Sequence, residues 1–487
     1  MNSTSLPKQR TFATNYASLF MGKVVTKLLT FLAMIFIARY LGEEDFGRLT
    51  FAFALASLAT VAAQAGLSNL NIREIARHKE NSSQISGTVS LIRWMNLAWI
   101  IIITGLFAIS TQQLLGWPPN TGWIILLSGL GFAFATMGAT YIEIFQAFER
   151  MEFVAIIFLI TNALNLLFVL GIMFMGWGLL EVGGAFILSN CCGWAAGYLM
   201  CRRLFPIPRL GQPLNLVWSY LKESWPFVAS AIVAMVYWRT DTITLTAMVG
   251  VGAAGIYNAA GRLTEGLLLV PSTYREAIYP NLSRTFLTDP EGYCETTRRS
   301  YKYLIALALP VAVGTSILAN PIVRFIYGYA YQGTEIVLGI IIWALATIFI
   351  REFTAGQLFS MNKQKSVLSA NLTAAILNVI LNITLIPYFS WIGASVAMVA
   401  SATVSMGMNL WTVKRSSPGS LKRLGMIRSF SSAMVLGFAL WLARDYTKLH
   451  VLILVPAGLV LYSLILIISG FFNRAELKFF FTVFKRK

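Results

Sequence analysis

The sequence is poor in charged residues, histidine and cysteine, and the shortage of charge excludes a broad class of protein. Only 12% of the 487 residues are charged, whereas soluble domains have about 25% charged residues. Hydrophobic residues make up 57%, and the mean hydropathy is +0.69. This composition excludes an ordinary soluble domain and is typical of an all-α polytopic membrane protein.

The two histidines and four cysteines are too few and too scattered to indicate a metal or haem site. The cysteines lack the paired spacing of metal ligands, so we interpret them as free thiols. No phosphate-binding glycine loop, zinc-protease helix or nucleophile elbow is present in the sequence. We therefore expect neither a bound metal or cofactor nor enzymatic activity.

Apolar runs separated by breaker residues predict about fourteen membrane spans. The polar start, residues 1–15, leads into an apolar run too long for a signal peptide, so we expect the first helix to be kept. The predicted spans are 17–38, 47–67, 87–109, 122–144, 153–175, 180–200, 225–248, 253–276, 301–320, 335–358, 365–387, 391–412, 428–443 and 450–470.

Basic residues predict the orientation of these spans. Of the 38 lysines and arginines, 27 lie in the termini and even-numbered loops and 5 in or beside the odd-numbered loops. The positive-inside rule therefore puts both termini in the cytoplasm. The net charge of +18 is explained by this bias and does not indicate nucleic-acid binding. The longest cytoplasmic connections are 202–224, with an interfacial helix expected at 214–222, and 277–300.

Three sequence features recur after about 210 residues, which predicts two parallel copies of a six-helix unit. Gly42 and Gly47 flank the first outward turn, and Gly250 and Gly255 repeat that spacing 208 residues later. We expect these four glycines to act as turn or hinge positions. The predicted organisation is an N-terminal six-helix lobe at 1–205, a cytoplasmic linker at 206–224, a C-terminal six-helix lobe at 225–415, and two additional spans with a basic tail at 416–487.

Ionisable side chains at membrane depth are the candidate functional residues, because burying charge in hydrocarbon is costly. Lys23 and Lys27 share one face of span one, and Lys27 lies roughly 14 Å from the cytoplasmic end. Each either reaches the inner headgroups or faces an anion. Arg239 and Asp241 lie about 200° apart around span seven and cannot pair with each other. Asp241 either holds a cation in place or titrates.

The remaining candidates lie in later spans and in the first unit. Arg262 and Glu265 share a face of span eight, so they form either an ion pair or an exchangeable phosphate site. Arg351 and Glu352 point about 100° apart, so that one of them can face a cavity. Arg93 is expected to reach the cytoplasmic surface, and Glu143 is expected either to cap a helix or to pair across the first lobe. Lys23, Lys27, Arg239, Arg262 and Arg351 outnumber Asp241, Glu265 and Glu352, which predicts a cationic cavity suited to an anionic headgroup.

Four segments of the sequence are similar to those of a known family: Ala38 to Gly47, Arg239-Thr240-Asp241, Gly255 to Leu263, and Asn378 to Pro387 followed by Gly393-Ala394. They resemble the bacterial lipid-linked oligosaccharide flippases, the Wzx-like polysaccharide-unit translocases of the multidrug/oligosaccharidyl-lipid/polysaccharide exporter superfamily. The resemblance covers essentially the whole chain.

This resemblance implies a V-shaped pair of six-helix lobes that alternate between inward-open and outward-open states in the bacterial cytoplasmic membrane. The implied cargo is an oligosaccharide on undecaprenyl pyrophosphate, delivered to a polysaccharide polymerase or ligase for O-antigen, capsule or exopolysaccharide assembly. It also implies a cationic central cavity and, in several members, proton or sodium coupling.

Three alternatives remain open at the level of the sequence. A lipid II flippase shares the count of fourteen spans, and a cation-coupled multidrug exporter shares the superfamily. A membrane polysaccharide polymerase or glycosyltransferase belongs to a different class and would need catalytic carboxylates on a long outward loop, which the predicted topology does not provide.

Overall fold

The computed structural model describes residues 12–64, 67–115, 117–209, 213–421, 426–446 and 450–471. Within these ranges the secondary structure is helical, with no strand. The helices are α1 Phe12–Gln64, α2 Leu67–Arg77, α3 Ser82–Leu115, α4 Pro119–Ala147, α5 Met151–Met175, α6 Leu179–Leu204, α7 Leu214–Met248, α8 Val251–Glu265, α9 Leu269–Thr288, α10 Pro290–Tyr327, α11 Thr334–Ser360, α12 Gln364–Ser416, α13 Met426–Tyr446 and α14 Val451–Ile468.

Nine helices in the described ranges are long and apolar enough to cross a membrane. Two of them, α1 and α12, have 53 residues each, or about 80 Å at 1.5 Å per residue, far more than a bilayer core requires. Each is interrupted by one non-helical residue, Gly42 in α1 and Ser390 in α12. The all-helical prediction is therefore confirmed, whereas the count of fourteen spans stays a prediction.

Gly42 and Gly250, in the two turns that the predicted repeat relates, both have a positive φ with an extended ψ. Gly42 has φ 78° and ψ 177°, and Gly250, which precedes α8, has φ 126° and ψ 172°. A positive φ with an extended ψ is essentially restricted to glycine. The local geometry thus explains why a glycine occupies each of these positions.

The chain divides into two compact units, Met1–Thr246 and Ala247–Lys487. In the first unit α4 packs against α1, α3 and α6, and α5 packs against α1 and α6. Glycines permit close approach of these helices: a Cβ at Gly193 would lie 2.1 Å from Oγ1 of Thr161, and one at Gly131 would lie 2.2 Å from Cδ1 of Phe186. Small residues therefore set the helix spacing in this unit.

In the second unit α11 packs against α8, α9, α10 and α12. An aromatic cluster fills the core between α10 and α11, where the rings of Tyr301 and Phe353 meet edge to face at 4.8 Å between centroids. The additional helices α13 and α14 pack against α10, with Leu436, Leu440 and Leu454 buried in the contact. The predicted lobe boundaries stay a prediction.

The structure adds detail to three predicted segments, because hydropathy does not define helix ends in polar sequence. The predicted span 253–276 comprises α8, a 3₁₀ turn at Gly266–Leu268 and the start of α9. The predicted connection 277–300 is largely helical, since α9 continues to Thr288 and α10 begins at Pro290. A helix is present at 214–222, as expected, and it is the start of the longer α7.

Candidate functional site

The predicted cations of the first unit lie on α1 and α7. Lys27 is exposed on α1, and one turn further on Thr30 donates a hydrogen bond to Oδ1 of Asn162 on α5 at 2.8 Å. This contact fixes α1 against α5 beside the lysine. The side chain of Lys23 lies outside the part of the chain whose side chains are described.

Arg239 and Asp241 differ in burial, as expected from their opposite directions on α7. Asp241 is only 3% exposed, whereas Arg239 is half-buried. Of the two neighbouring aromatic residues, Tyr237 is 6% exposed and Trp238 is 43% exposed. Trp238 is therefore the accessible aromatic ring of the two, and Tyr237 belongs to the core.

Arg262 and Glu265 form an intrahelical ion pair at the end of α8. Nη1 of Arg262 lies 2.8 Å from Oε2 of Glu265, and the side chains are 15% and 46% exposed. Two hydrogen bonds hold α8 in place: Tyr327 donates to the carbonyl of Ala259 at 3.0 Å, and Thr334 donates to the carbonyl of Ile256 at 3.2 Å. Glu265 is the more exposed partner, so an anion can compete with it for the arginine.

Arg351 and Glu352 on α11 belong to a three-residue cluster that includes Arg275 of α9. Oε2 of Glu352 accepts a hydrogen bond from Nη1 of Arg275 at 2.7 Å, and Oε1 of Glu352 lies 3.6 Å from Nη2 of Arg351. Gly356 leaves room for the arginine stem, because a Cβ there would lie 2.7 Å from Cγ of Arg275. Two guanidinium groups thus share one carboxylate.

Sequence reasoning missed Arg275 because it lay at the end of a predicted span, beside an expected cytoplasmic connection. Arg275 and Glu352 are 77 residues apart in the chain, so no local spacing signals their contact. The helical continuation of α9 from Leu269 to Thr288 is what places the arginine on a rigid element.

Arg93 and Glu143 form a buried ion pair, so the expectation that Arg93 reaches the cytoplasmic surface was wrong. Nη2 of Arg93 lies 2.5 Å from Oε1 of Glu143, and the side chains are 1% and 3% exposed. Asn71 donates to Oε2 of Glu143 at 2.7 Å, and Arg93 also donates to the hydroxyl of Thr140. A burial this complete, with hydrogen-bonding partners on neighbouring helices, identifies a structural network.

The described candidate residues carry more positive than negative charge. Lys27, Arg239, Arg262, Arg275 and Arg351 are five cations, and Asp241, Glu265 and Glu352 are three carboxylates. Within the described ranges, histidine, cysteine and carboxylate side chains form no group of three that could hold a metal ion. Guanidinium groups bind phosphate through paired hydrogen bonds, so the chemistry of Arg275 and Arg351, which share Glu352 within the second unit, favours an oxyanion.

The many long apolar helices define the class: the chain is a multi-pass membrane protein. A family model described as "Polysaccharide biosynthesis protein" matches residues 12–286, and one described as "Lipid II flippase MurJ" matches residues 239–463. Since the first match covers more than half of the chain, the protein belongs to the polysaccharide biosynthesis protein family.

Similar proteins include flippases and transporters. The probable flippase AglR of Haloferax volcanii is 22% identical over 94% of this chain and 94% of that protein. The succinoglycan biosynthesis transport protein ExoT of Rhizobium meliloti is 22% identical over 66% of this chain and 63% of that protein.

Solved structures share the fold. The lipid II flippase MurJ in an inward closed conformation has a TM-score of 0.74 at 15% identity, covering 92% of this chain and 97% of that one. An inward-facing multidrug transporter of the MATE family has a TM-score of 0.62 at 14% identity, covering 82% and 96%. Together with the family match, these comparisons support a flippase of the multidrug/oligosaccharidyl-lipid/polysaccharide exporter superfamily, and therefore a transporter and not an enzyme.

Proposed function

We propose that this protein moves an undecaprenyl-pyrophosphate-linked oligosaccharide from the cytoplasmic to the outer leaflet of the bacterial cytoplasmic membrane. The polysaccharide biosynthesis family match supports a lipid-linked saccharide as cargo. The observation that supports an anionic headgroup in the cargo is the Arg275–Glu352–Arg351 cluster, in which the arginines outnumber the carboxylate. A polysaccharide polymerase or ligase would take up the delivered unit.

In the proposed mechanism Glu352 is a counter-ion that a diphosphate displaces. Without cargo, the carboxylate holds both guanidinium groups and limits their mutual repulsion. A diphosphate has more charge and more acceptor oxygens than one carboxylate, and it can bind arginine in a bidentate manner. The headgroup is released when Glu352 re-forms its ion pairs with Arg275 and Arg351, so binding to this site is reversible.

Alternating access of two lobes would carry the cargo across. The turns at Gly42 and Gly250 are the proposed hinge positions, with Gly47 and Gly255 in the helices that follow them. Asp241 is the first candidate for proton or sodium coupling, because a carboxylate in a low-dielectric site is sensitive to a nearby cation. The distribution of arginine and lysine supports cytoplasmic termini.

A lipid II flippase is the second candidate function. The MurJ family match at residues 239–463 and the TM-score of 0.74 to the MurJ structure favour it. Both cargoes have a polyprenyl diphosphate, so the cationic cluster fits either one. A cationic-drug exporter fits less well, because the cluster on α9 and α11 has two arginines and one carboxylate.

Transport by purified protein in liposomes tests this proposal. We expect transfer of fluorescent undecaprenyl-pyrophosphate oligosaccharide, slower transfer of fluorescent lipid II, and no uptake of ethidium. The variant R275Q/R351Q should lose transport, whereas R284Q, which removes an exposed arginine from the same helix α9, should retain it. Uptake of ethidium without transfer of the oligosaccharide lipid would overturn the proposal, and faster transfer of lipid II would establish the second candidate.

A further inference from the structure

A basic groove lies in the second unit, between the turn after α11 and the end of α12. Its volume is about 870 Å³. The residues that line it are Asn362, Lys363, Gln364, Lys365, Ser366, Trp411, Thr412, Arg415 and Ser416. The arms of α12 before and after Ser390 lie side by side as a hairpin, since Ser366 and Thr412 near its two ends are in hydrogen-bonding contact. The groove is built from the two ends of this hairpin and does not include the arginine cluster at Glu352.

The groove has positive charge that nothing nearby in the sequence balances. Lys363, Lys365 and Arg415 are exposed, and the nine lining residues include no carboxylate. The sequence from residue 353 to residue 444 contains neither aspartate nor glutamate. The three cations in this groove therefore favour the binding of an anion.

Polar groups in the groove are arranged to receive an anion. The hydroxyl groups of Ser366 and Thr412 are 2.8 Å apart and join the two ends of the hairpin. The guanidinium of Arg415 lies 3.8 Å from the ring centroid of Trp411, so a cation–π contact orients it. A phosphate in the groove would therefore meet an oriented guanidinium together with the two lysines.

Apolar side chains continue from the groove along α12. Leu368 is 48% exposed and Val404 is 37% exposed, while Trp411 is 57% exposed. An exposed tryptophan between an apolar helix face and a cluster of lysines is typical of the membrane interface. The groove and its apolar continuation therefore match an amphiphile with an anionic headgroup and hydrocarbon chains.

We propose that this groove is a binding site for an anionic glycerophospholipid of the surrounding leaflet. Its phosphate lies among Lys363, Lys365 and Arg415, and its acyl chains follow the apolar face of α12. The occupant is a resident lipid that stabilises the hairpin, and it is not the transported cargo. This site does not depend on the proposed cargo of the arginine cluster.

Native mass spectrometry of the full chain with added phosphatidylglycerol or phosphatidylcholine tests the proposal. The variant K363Q/K365Q/R415Q removes three groove charges. The control R202Q/R203Q/K414Q also removes three exposed charges at helix ends, and none of its residues lines the groove. We expect about a ten-fold or greater loss of phosphatidylglycerol affinity in the groove variant, about two-fold or less in the control, and unchanged phosphatidylcholine binding.

Four results would overturn the proposal. Equal losses in both triple variants would mean that general surface charge, and not the groove, attracts the lipid. Equal binding of phosphatidylcholine to the wild-type chain would exclude an anion-selective site. Preferential displacement of phosphatidylglycerol by farnesyl pyrophosphate would assign the groove to the cargo diphosphate, and displacement by inorganic phosphate would assign it to a free anion. If the triple variant does not fold, comparison of R415Q with K414Q, neighbours on the same helix end, decides the question.

Discussion

Nη1 of Arg275 lies 2.7 Å from Oε2 of Glu352, and the same carboxylate lies 3.6 Å from Nη2 of Arg351. The side chains of Arg275 and Glu352 are 32% and 24% exposed, and that of Arg351 is 10% exposed. The carboxylate is therefore accessible enough to be replaced by an incoming anion, while one of the arginines is held firmly by burial. This asymmetry determines which substitution affects binding and which affects turnover.

Replacing Glu352 with glutamine should tighten cargo binding and slow transport. Without the carboxylate, the two guanidinium groups lose their internal competitor, so the concentration of diphosphate lipid for half-maximal transport should fall. A charged hydrogen bond is worth about 1.5–3 kcal/mol, so the maximal rate should fall about ten-fold to a hundred-fold. Transport kinetics in liposomes measure both quantities. E295Q, which removes an exposed carboxylate paired with Arg299, should change neither, and a raised half-maximal concentration for E352Q would contradict the counter-ion role.

Replacing Glu143 with glutamine should destabilise the first unit. Arg93 would remain buried without its carboxylate, and breaking a buried ion pair costs about 3–5 kcal/mol. Thermal unfolding monitored by size-exclusion chromatography should show a clear decrease in midpoint. The control E44Q removes a 69% exposed partner of Arg48, which is worth less than about 1 kcal/mol. Equal midpoints for the two variants would mean that the Arg93 network has no structural role.

The Arg275–Glu352–Arg351 and Arg93–Glu143 clusters show which charge contacts can be predicted from the sequence and which cannot. Helical faces are readable from spacing, so the Arg262–Glu265 pair was among the expected interactions. Arg93 and Glu143 are 50 residues apart, and spacing within one helix contains no information about which neighbouring helix supplies a partner. Hydropathy located the apolar spans, but it did not detect α9, whose residues Tyr274 to Arg284 are largely polar. Arg275 was missed for that reason.

The turns were predicted better than the charge partners, because glycine in a sequence indicates a backbone conformation with positive φ that other residues avoid. The recurrence of Gly42 and Gly250 at equivalent positions predicted a repeated turn, and both have a positive φ with an extended ψ. The helix α12 is also interrupted, at Ser390, which has φ 49°. Because this residue is a serine and not a glycine, the sequence did not predict its positive φ.

Replacing Gly250 with alanine should destabilise the second unit, because its backbone conformation is strained for any residue with a Cβ. The expected cost is about 1–3 kcal/mol. Gly261 is the matched control, since it lies inside α8 and a Cβ there would meet nothing within 4 Å. Alanine at Gly261 should be neutral or stabilising by up to about 1 kcal/mol. Thermal unfolding of the two variants tests the difference, and a stabilised G250A would contradict the strain argument.

Replacing Gly87 with alanine should detach the segment that follows α6 from the start of α3. A Cβ at Gly87 would lie 2.0 Å from the carbonyl oxygen of Arg209, a backbone atom that cannot rotate away. The amide of Arg209 donates to the carbonyl of Ser83 at 2.9 Å, and the hydroxyl of Ser83 donates to the carbonyl of Ile207. The added methyl group would therefore separate the partners of both hydrogen bonds.

Limited trypsin digestion of the detergent-solubilised chain measures this detachment, because Arg209 is itself a cleavage site. Overpacking costs about 1–3 kcal/mol, so cleavage after Arg209 should accelerate about five-fold or more in G87A. The control G105A lies on the same helix, where a Cβ meets only Cδ2 of Leu126 at 3.8 Å, and it should be digested at the wild-type rate. Unchanged cleavage in G87A would mean that this segment tolerates displacement without opening. Accelerated cleavage confined to G87A would show that the close contact at Gly87 holds the connection after α6 against the first unit.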